Sequence, residues 1–242
     1  MNATSAILVR HAAYAQPADV PSAWLPHELL PKGFDQAKTG ARAIVEYCER
    51  EGLTLDTRVE SSTLLRAWQT ANTMAKEFEA LVGVPFRVSE WHDLAERGVG
   101  AAANLTIDEI EELLDRDPRY AVPPAGWKAS GDYRLPFPGA ESLREAGFRV
   151  ARFLRASLAE LNRRQHDHGT NDEHEEKVVR IFVGHGAAFR WASVALGVLD
   201  EDRLADLSMH YCGWVHVRPG PQSWDKLGGA WKYRATGEAI TD

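Results

Sequence analysis

The chain of 242 residues has little of what marks a secreted, membrane or nucleic-acid-binding protein. Its two cysteines, Cys48 and Cys212, lie far apart and in no motif, so we expect no disulfide framework and a reducing compartment. No apolar run approaches the roughly 20 residues of a membrane helix, and the amino terminus lacks the basic region of a signal peptide. A formal net charge of -7 disfavours binding to nucleic acid or anionic lipid. We therefore expect a soluble, cytoplasmic protein.

The order of apolar segments predicts an α/β fold. Short apolar runs at residues 5–10 and 178–183 are typical of strands that are buried on both faces. Alternation of strands and helices favours one domain, a three-layer sandwich with a mainly parallel central sheet and helices on both faces. Further strands are predicted near 58–61, 84–89, 214–217 and 231–235, and helices over 34–51, 65–75, 106–116, 141–164 and 187–198.

Two irregular segments interrupt this pattern. Residues 117–139 contain five prolines, and an irregular stretch of this length in a compact domain is often a lid or a binding element. Residues 164–177 are polar and predict a surface loop. The histidines of that loop, His166, His168 and His174, match no compact set of metal ligands, so we predict no metal site there.

Basic side chains follow three of the predicted strands at the point where each strand ends. Arg10 and His11 end the first strand, Arg66 lies in the first helical turn after a later strand, and His185 and Gly186 follow the strand at 178–183. In open α/β sheets, ligands bind at the carboxyl ends of the strands. If the three strands are neighbours, two guanidinium groups and two imidazoles share one small volume.

Such a cluster favours the binding of an anion, because positively charged groups repel one another unless an anion lies among them. Planar guanidinium groups suit the oxygens of phosphate, and a helix that starts near Gly186 adds N–H donors and the positive end of its dipole. A neutral histidine in this setting can attack phosphorus and become a covalent phosphohistidine. The pattern therefore favours chemistry on a phosphoryl group.

The motifs of the chain resemble those of the histidine phosphatase superfamily, the group that includes cofactor-dependent phosphoglycerate mutase. The segments LVRHA, SSTLLRAWQTA and VGHGAAFR are similar to the family's histidine and arginine motifs. The segments LLPKGFDQAKTGARAI, DLAERGVG and PGAESLREAGFRVARFL resemble its following helix, its catalytic-acid segment and the start of its long helix. The resemblance covers most of the chain. It implies a phosphoglycerate mutase-like fold, with one catalytic domain over 1–242 and a cap-like insertion at about 100–139.

The same resemblance implies a role for each candidate residue. His11 is the nucleophile, and Glu96 gives a proton to the leaving oxygen and later activates water. His185 is catalytic and also binds the phosphoryl oxygens together with Arg10, Arg66 and Gly186. No metal ion and no organic cofactor is implied, since the arginines supply the positive charge.

Other residues are candidates for the rest of the substrate and for the local structure. Arg97, Tyr14 and Trp127 are the candidate substrate contacts, and Trp127 lies in the proline-containing segment. Glu141 and Ser142 suit the start of the following helix as well as a phosphate contact.

Three functions are compatible with these motifs. The first is a phosphomonoester hydrolase that acts on a small phosphorylated metabolite through a phosphohistidine. The second is a cofactor-dependent phosphoglycerate mutase, and the third is a catalytically silent member that acts as a binding module. After His11 the chain reads AAYAQP, where mutases have glycine and a polar set with asparagine, and it lacks their adjacent arginine pair. Both histidines and both arginines are retained, which disfavours the silent module. The sequence thus favours the phosphatase, and it leaves open the substrate and whether the protein is a homodimer.

Overall fold

The chain alternates strands and helices, as its apolar pattern predicts. A computed structural model describes residues 4–21, 23–167 and 176–235. The strands are β1 (Thr4–Arg10), β2 (Thr54–Ser62), β3 (Arg87–Trp91), β4 (Val178–Gly184), β5 (Leu207–Ser208), β6 (Trp214–Pro219), β7 (Trp224–Gly229) and β8 (Lys232–Tyr233). The α-helices are α1 (Pro31–Glu51), α2 (Leu65–Val82), α3 (Ile107–Arg116), α4 (Leu143–Asp167) and α5 (Gly186–Ala195).

A six-stranded sheet in the order β3-β2-β4-β1-β6-β7 forms the centre of the fold. The strands β3, β2, β4 and β1 are parallel, whereas β6 and β7 add antiparallel pairs beside β1. Strands β1 and β4 pair without any offset, and Arg10 lies opposite Gly184. As a result, His11 and His185 leave the sheet side by side.

Helices cover both faces of this sheet, which confirms the predicted three-layer α/β sandwich. Helices α1 and α2 pack against Ile7 and Ile181 on one face, and α4 and α5 pack against Leu8 and Phe182 on the other. The two faces alternate along the strands because successive side chains point in opposite directions. Each fully buried aliphatic or aromatic side chain contributes about 1.5–3 kcal/mol of transfer free energy to folding.

Helices α1 and α2 hold the loop that follows His11. A Cβ at Gly33 would lie 2.3 Å from the Ala13 carbonyl oxygen, so only glycine allows α1 to approach this loop so closely. The Ala13 N–H donates to Gln36 Oε1 at 2.9 Å, and the Ala12 N–H donates to Thr70 Oγ1 at 3.0 Å. The loop is therefore fixed from two helices.

Residues 99–140, here called the cap segment, form a hydrophobic cluster together with Ala23. Val99 and Ala140 pair as an isolated antiparallel bridge, so the segment leaves the domain and returns to it at one point. Within it, α3 starts with the predicted capping box of Thr106 and Glu109. The buried apolar residues of this cluster are Ala23, Val99, Ala102, Ile110, Leu114, Trp127, Leu135 and Ala140.

The end of the chain differs from the prediction. Only Lys232–Tyr233 of the predicted strand at 231–235 are extended, and they pair with β5 outside the central sheet. The outermost strand of the central sheet is instead β7, whose sequence WDKLGG contains no β-branched residue and gave no strand signal. His168 and His174 of the polar loop lie outside the described residues. None of the described helices is long and apolar enough to cross a membrane.

Candidate active site

Four of the predicted site residues meet at the carboxyl ends of β1, β2 and β4. Arg10 ends β1, His11 follows it, Arg66 lies in the first turn of α2 after β2, and His185 follows β4. All four are buried, with at most 7% of the residue exposed. The centroids of the two imidazole rings are 5.1 Å apart. The parallel sheet thus brings together the groups that the sequence placed at separate strand ends.

The hydrogen bonds of His11 define which of its nitrogens can attack a substrate. Its Nδ1 lies 2.8 Å from the carbonyl oxygen of Ala12, and a carbonyl only accepts, so Nδ1 carries the proton. The lone pair of the neutral ring is therefore on Nε2. This tautomer is the one that a nucleophilic histidine needs.

Arg66 connects the two imidazoles. Its Nε lies 3.2 Å from His11 Nε2, and its Nη2 lies 3.2 Å from His185 Nδ1. The remaining donors bind the main-chain oxygens of Leu25 at 3.1 Å and Ala23 at 2.8 Å. The guanidinium is fully buried and held in one orientation beside the reactive nitrogen of His11.

His185 completes this side of the cluster and contacts β2. Its Nδ1 accepts from Arg66, so its proton lies on Nε2, which is 2.9 Å from Ser62 Oγ. Burial lowers the pKa of His185 well below its usual value, and the positive charge of Arg66 lowers it further. His185 is therefore neutral in the unliganded protein. A bound anion would favour its protonated form.

Arg10 enters the cluster from the end of β1. Its Nη1 donates to the carbonyl oxygen of Met209, and its guanidinium lies 4.5 Å from the centroid of the Tyr211 ring. The Nε atom of Arg10 is buried and has no hydrogen-bond partner among the described residues. A buried donor of this kind is costly unless an acceptor binds to it, and a phosphoryl oxygen is a suitable acceptor.

Glu96 lies in the loop between β3 and α3 and is 4% exposed. Its Oε1 accepts from the N–H of Arg97 at 2.9 Å and from the N–H of Ala188 at 3.2 Å. Ala188 is in the first turn of α5, which begins at Gly186, directly after His185. The carboxyl group of Glu96 is therefore held at the amino end of the helix that follows the second histidine.

A guanidinium from α4 holds the loop that carries Glu96. Arg149 Nη1 donates to the carbonyl oxygens of His92, Asp93 and Ala95, at 3.3, 2.8 and 3.1 Å. Arg149 also pairs with the carboxylate of Glu141, which accepts from the Gly98 N–H at 3.1 Å. The chain is thus fixed on both sides of Glu96.

The predicted Glu141–Ser142 pair serves local structure. Glu141 binds Arg149 and the Gly98 N–H, as described above. Ser142 Oγ accepts from the Glu145 N–H at 3.1 Å, while the Glu145 carboxylate accepts from the Ser142 N–H at 2.7 Å. This reciprocal pair starts α4, so the structure favours the helix start over a phosphate contact.

The predicted substrate contacts have different surroundings. The Tyr14 ring is buried between His11, at 5.2 Å between centroids, and the Arg66 guanidinium, at 4.7 Å. Arg97 is buried beside Glu96, donates to the Lys128 carbonyl oxygen at 3.2 Å, and burial lowers its pKa. Both residues are close to the reacting groups.

Trp127 has a packing role inside the cap segment. Its ring is 3% exposed within the cluster of the cap segment, and its Nε1 donates to Glu111 Oε1 at 2.9 Å. A direct contact of this ring to substrate stays a prediction. The indole ring also lies beside Arg97, whose guanidinium is 5.8 Å from the ring centroid.

Sequence reasoning missed four contributors to this cluster, namely Ser62, Arg149, Tyr211 and the carbonyl of Met209. Ser62 could have been found, since it ends β2 and shares the sheet edge with His185. The others reach the site through loops and helix packing, for which the local sequence carries no signal.

A family model described as "Histidine phosphatase superfamily (branch 1)" matches residues 6–229. This range includes all four clustered side chains and Glu96. None of the curated protein sequences matches the chain.

Solved structures share the fold at low sequence identity. A native mycobacterial glucosyl-3-phosphoglycerate phosphatase has a TM-score of 0.64 and 21% identity, with 92% of this chain and 96% of that chain covered. A structure called mycobacterial hydrolase 1 has a TM-score of 0.63 and 21% identity, covering 94% and 99%. A phosphoserine phosphatase from Entamoeba histolytica, in complex with 3-phosphoglyceric acid, has a TM-score of 0.62 and 18% identity, covering 93% and 96%.

Proposed function

The chain belongs to the histidine phosphatase superfamily, branch 1, and on this basis we propose that it is a phosphomonoester hydrolase that acts through a covalent phosphohistidine. The substrate is a small phosphorylated metabolite, and the reaction needs no metal ion, because fixed arginines supply the positive charge at the phosphoryl group. The observation that carries this proposal is the environment of His11. Its Nδ1 is protonated toward Ala12, and its Nε2 lies beside a buried guanidinium.

In the first step, His11 Nε2 attacks phosphorus and the ester P–O bond breaks. Arg10, Arg66 and His185 stabilise the charge on the phosphoryl oxygens, and Gly186 at the start of α5 contributes the dipole of the helix. Glu96, in its acid form, gives its proton to the oxygen of the leaving alcohol. The products of this step are the free alcohol, phosphohistidine and the Glu96 carboxylate.

In the second step, the Glu96 carboxylate takes a proton from a water molecule whose oxygen attacks phosphorus. The P–N bond breaks, inorganic phosphate leaves, and His11 and Glu96 return to their initial states. The cap segment covers the site as an insertion in a single catalytic domain and limits the access of water.

Similar proteins support a small substrate. The names of two solved relatives refer to glucosyl-3-phosphoglycerate and to phosphoserine, and both are phosphorylated metabolites. The net charge of -7 argues against nucleic acid as a partner. We also place the enzyme in the cytoplasm, because Cys48 and Cys212 are both free thiols.

Phosphate release from a panel of phosphate esters tests the proposal. We expect His11→Asn to lower kcat by at least about 10⁴-fold, because no nucleophile remains. Protein-bound phosphate that is labile to acid and stable to alkali should form in the wild type and be absent from His11→Asn.

The matched control is His166→Asn, at the exposed end of α4, which should keep full activity. Retained turnover in His11→Asn would contradict the proposed nucleophile. With 3-phosphoglycerate and a trace of bisphosphoglycerate, we expect free phosphate rather than 2-phosphoglycerate. Faster formation of 2-phosphoglycerate would instead identify a mutase.

A further inference from the structure

The peptide bond that follows Glu96 is held differently from the rest of its loop. Arg149 and Glu141 bind the main chain on both sides of Glu96, as described above. The carbonyl oxygen of Glu96 itself accepts instead from the indole Nε1 of Trp24, at 3.1 Å. Trp24 therefore supplies the contact that the Arg149–Glu141 pair does not make.

The same peptide bond carries an N–H that binds the carboxyl group of Glu96. This N–H, which belongs to Arg97, donates to Glu96 Oε1 at 2.9 Å, while the carbonyl end accepts from Trp24. Because a peptide bond is planar, a rotation that breaks the contact at one end also moves the donor at the other end. The indole thus fixes the orientation of a donor to the catalytic carboxyl group.

Two N–H donors determine which oxygen of Glu96 carries the proton. Oε1 accepts from the N–H groups of Arg97 and Ala188, so in the acid form of Glu96 the proton lies on Oε2. Proton transfer requires this oxygen to be within hydrogen-bond reach of the leaving oxygen. A rotation of the carboxyl group would direct the proton away from the alcohol.

The main chain around Trp24 holds Arg66 at the same time. The carbonyl oxygens of Ala23 and Leu25 accept from Arg66 Nη2 at 2.8 Å and from Nη1 at 3.1 Å. Arg66 Nε in turn lies 3.2 Å from His11 Nε2. This tripeptide therefore contacts the phosphoryl-binding side of the site through its main chain and the proton-donating side through one side chain.

The indole ring lies against the loop of Glu96 at two further points. Trp24 is 39% exposed, so it is not part of a closed core. Its ring stands edge-on to the ring of His92, with 4.9 Å between the centroids. A Cβ at Gly98 would lie 3.5 Å from Cε2 of the indole, so the ring also lies beside the chain after Glu96.

Resting on the proposed function, we propose that Trp24 is a positioning residue for Glu96. Its indole N–H fixes the peptide bond between Glu96 and Arg97, and this keeps Oε2 directed at the leaving oxygen. Loss of the N–H should therefore weaken protonation of the alcohol and leave the attack of His11 on phosphorus intact. In this role Trp24 acts through Glu96 and needs no contact with the substrate.

The choice of leaving group distinguishes this role from a direct substrate contact. Benzyl phosphate has a strongly basic leaving oxygen that needs a proton, whereas 4-nitrophenyl phosphate has a weakly basic one that leaves readily without it. Both alcohols carry one six-membered ring, so a contact between that ring and Trp24 would affect the two esters equally. Since kcat/KM reports the steps up to cleavage of the ester bond, the later attack of water does not affect the comparison.

Three variants are compared with the wild type. Trp24→Phe removes the N–H and keeps an aromatic ring. The matched control is Trp91→Phe, because Trp91 is also 39% exposed and its Nε1 donates at 2.6 Å to Glu60, which lies outside the site. Glu96→Gln gives the reference for loss of the proton donor. Urea unfolding confirms that all three variants are folded.

We expect Trp24→Phe to lower kcat/KM about tenfold with benzyl phosphate and less than about twofold with 4-nitrophenyl phosphate. Glu96→Gln should show the same selectivity, with a loss of at least about 100-fold with benzyl phosphate. Trp91→Phe should change kcat/KM by less than about twofold with either ester.

The possible failures separate the role of Trp24 from the proposed function. Equal losses with both esters or no loss in Trp24→Phe, or the same selective loss in Trp91→Phe, would overturn the role of Trp24 and leave the phosphatase intact. Absence of selectivity in Glu96→Gln would contradict Glu96 as the proton donor and, with it, the role of Trp24. Absence of phosphate release from 4-nitrophenyl phosphate by the wild type would contradict the phosphatase itself.

Discussion

Strands β2 and β4 carry buried charge in two places, and the two clusters are built differently. Between these strands and the second half of α4 lies an ionic network composed of Asp56, Arg58, Glu60, Glu160, Arg164 and Arg180. Arg180 is fully buried and binds Asp56 at 2.6 Å and Glu160 at 2.9 Å. At the carboxyl ends lies the active-site cluster. The network matches three guanidinium groups with three carboxylates, whereas two guanidinium groups and two imidazoles of the active-site cluster face Glu96.

The difference shows which charges serve the fold and which serve a ligand. Burial of a charge costs several kcal/mol, and a partner in good geometry offsets that cost. Each guanidinium group of the network lies within 4 Å of at least one carboxylate, although Arg180 Nη2 has no hydrogen-bond partner among the described residues. In the active-site cluster, main-chain oxygens and imidazole nitrogens accept from Arg66, and these are weaker partners than a carboxylate. A phosphoryl dianion would supply the charge that the chain itself does not.

Substitution of Arg66 should give the largest effect. Arg66→Lys removes the donors that reach both imidazoles, and we expect kcat/KM for phosphate release to fall about 10⁴-fold. The free energy of unfolding should fall by about 1–3 kcal/mol, because lysine leaves the carbonyl oxygens of Leu25 and Ala23 without their buried donors. Kinetics and urea unfolding of the same samples check both values. A large loss of stability with little loss of activity would reverse the assignment of the two clusters.

Substitution of Arg180 should lower the free energy of unfolding and leave the activity of the folded protein almost unchanged. Arg180→Met leaves Asp56 and Glu160 without their buried partner, and we expect a loss of about 3–5 kcal/mol in the free energy of unfolding. The kcat/KM of the folded fraction should stay within about twofold of the wild type. Arg164→Met is the control, since that side chain is 43% exposed, and it should cost less than about 1 kcal/mol. A similar cost for both variants would show that burial does not govern the network.

The pH dependence of the free energy of unfolding should also distinguish the two clusters, because their groups affect it in different pH ranges. Burial holds the pKa of His185 well below the usual 6.5, so the unfolded chain binds a proton that the folded protein excludes. Stability is therefore fully present above about pH 6.5 and falls by roughly 1.4 kcal/mol per pH unit below it. Urea unfolding between pH 7.5 and 5.0 should show a slope that is smaller by this amount in His185→Asn. An unchanged slope would contradict a neutral His185.

Two other groups provide internal references for that experiment. Burial lowers the pKa of His216 to about 4, so His216→Asn should reduce the same slope without an effect on activity. In the ionic network, burial raises the pKa of Glu160, but the hydrogen bond from Arg180 and the charges around it lower that pKa more. The pKa of Glu160 therefore lies below its usual 4.5. Its contribution is therefore lost only as the pH falls below about 4.5 and does not affect the slope above pH 5.

The active-site cluster could be predicted from sequence for a simple geometric reason. Arg10, His11 and His185 each follow a strand, and the carboxyl ends of parallel strands meet at one edge. The prediction needed only the order of strands and helices, which the apolar runs show clearly.

The network and the role of Trp127 could not be predicted in this way. Arg58 and Glu60 are recognisable as polar residues in a strand, but their partner Glu160 comes from the packing of α4 onto the sheet. Trp127 stands in a proline-containing loop, and only the cluster around it and its hydrogen bond to Glu111 show that it faces inward. Pairings between distant elements depend on packing that local sequence does not encode.

The bridge between Val99 and Ala140 joins the two ends of the cap segment, so the segment can be replaced as a unit. A peptide of different length or composition can be grafted across this bridge while Arg10 stays opposite Gly184. Such grafts would move the Lys128 carbonyl oxygen that accepts from Arg97 beside Glu96, while the histidines and arginines at the sheet edge keep their positions. Replacement of this stretch therefore acts on the Glu96 side of the site and spares the groups that bind the phosphoryl oxygens.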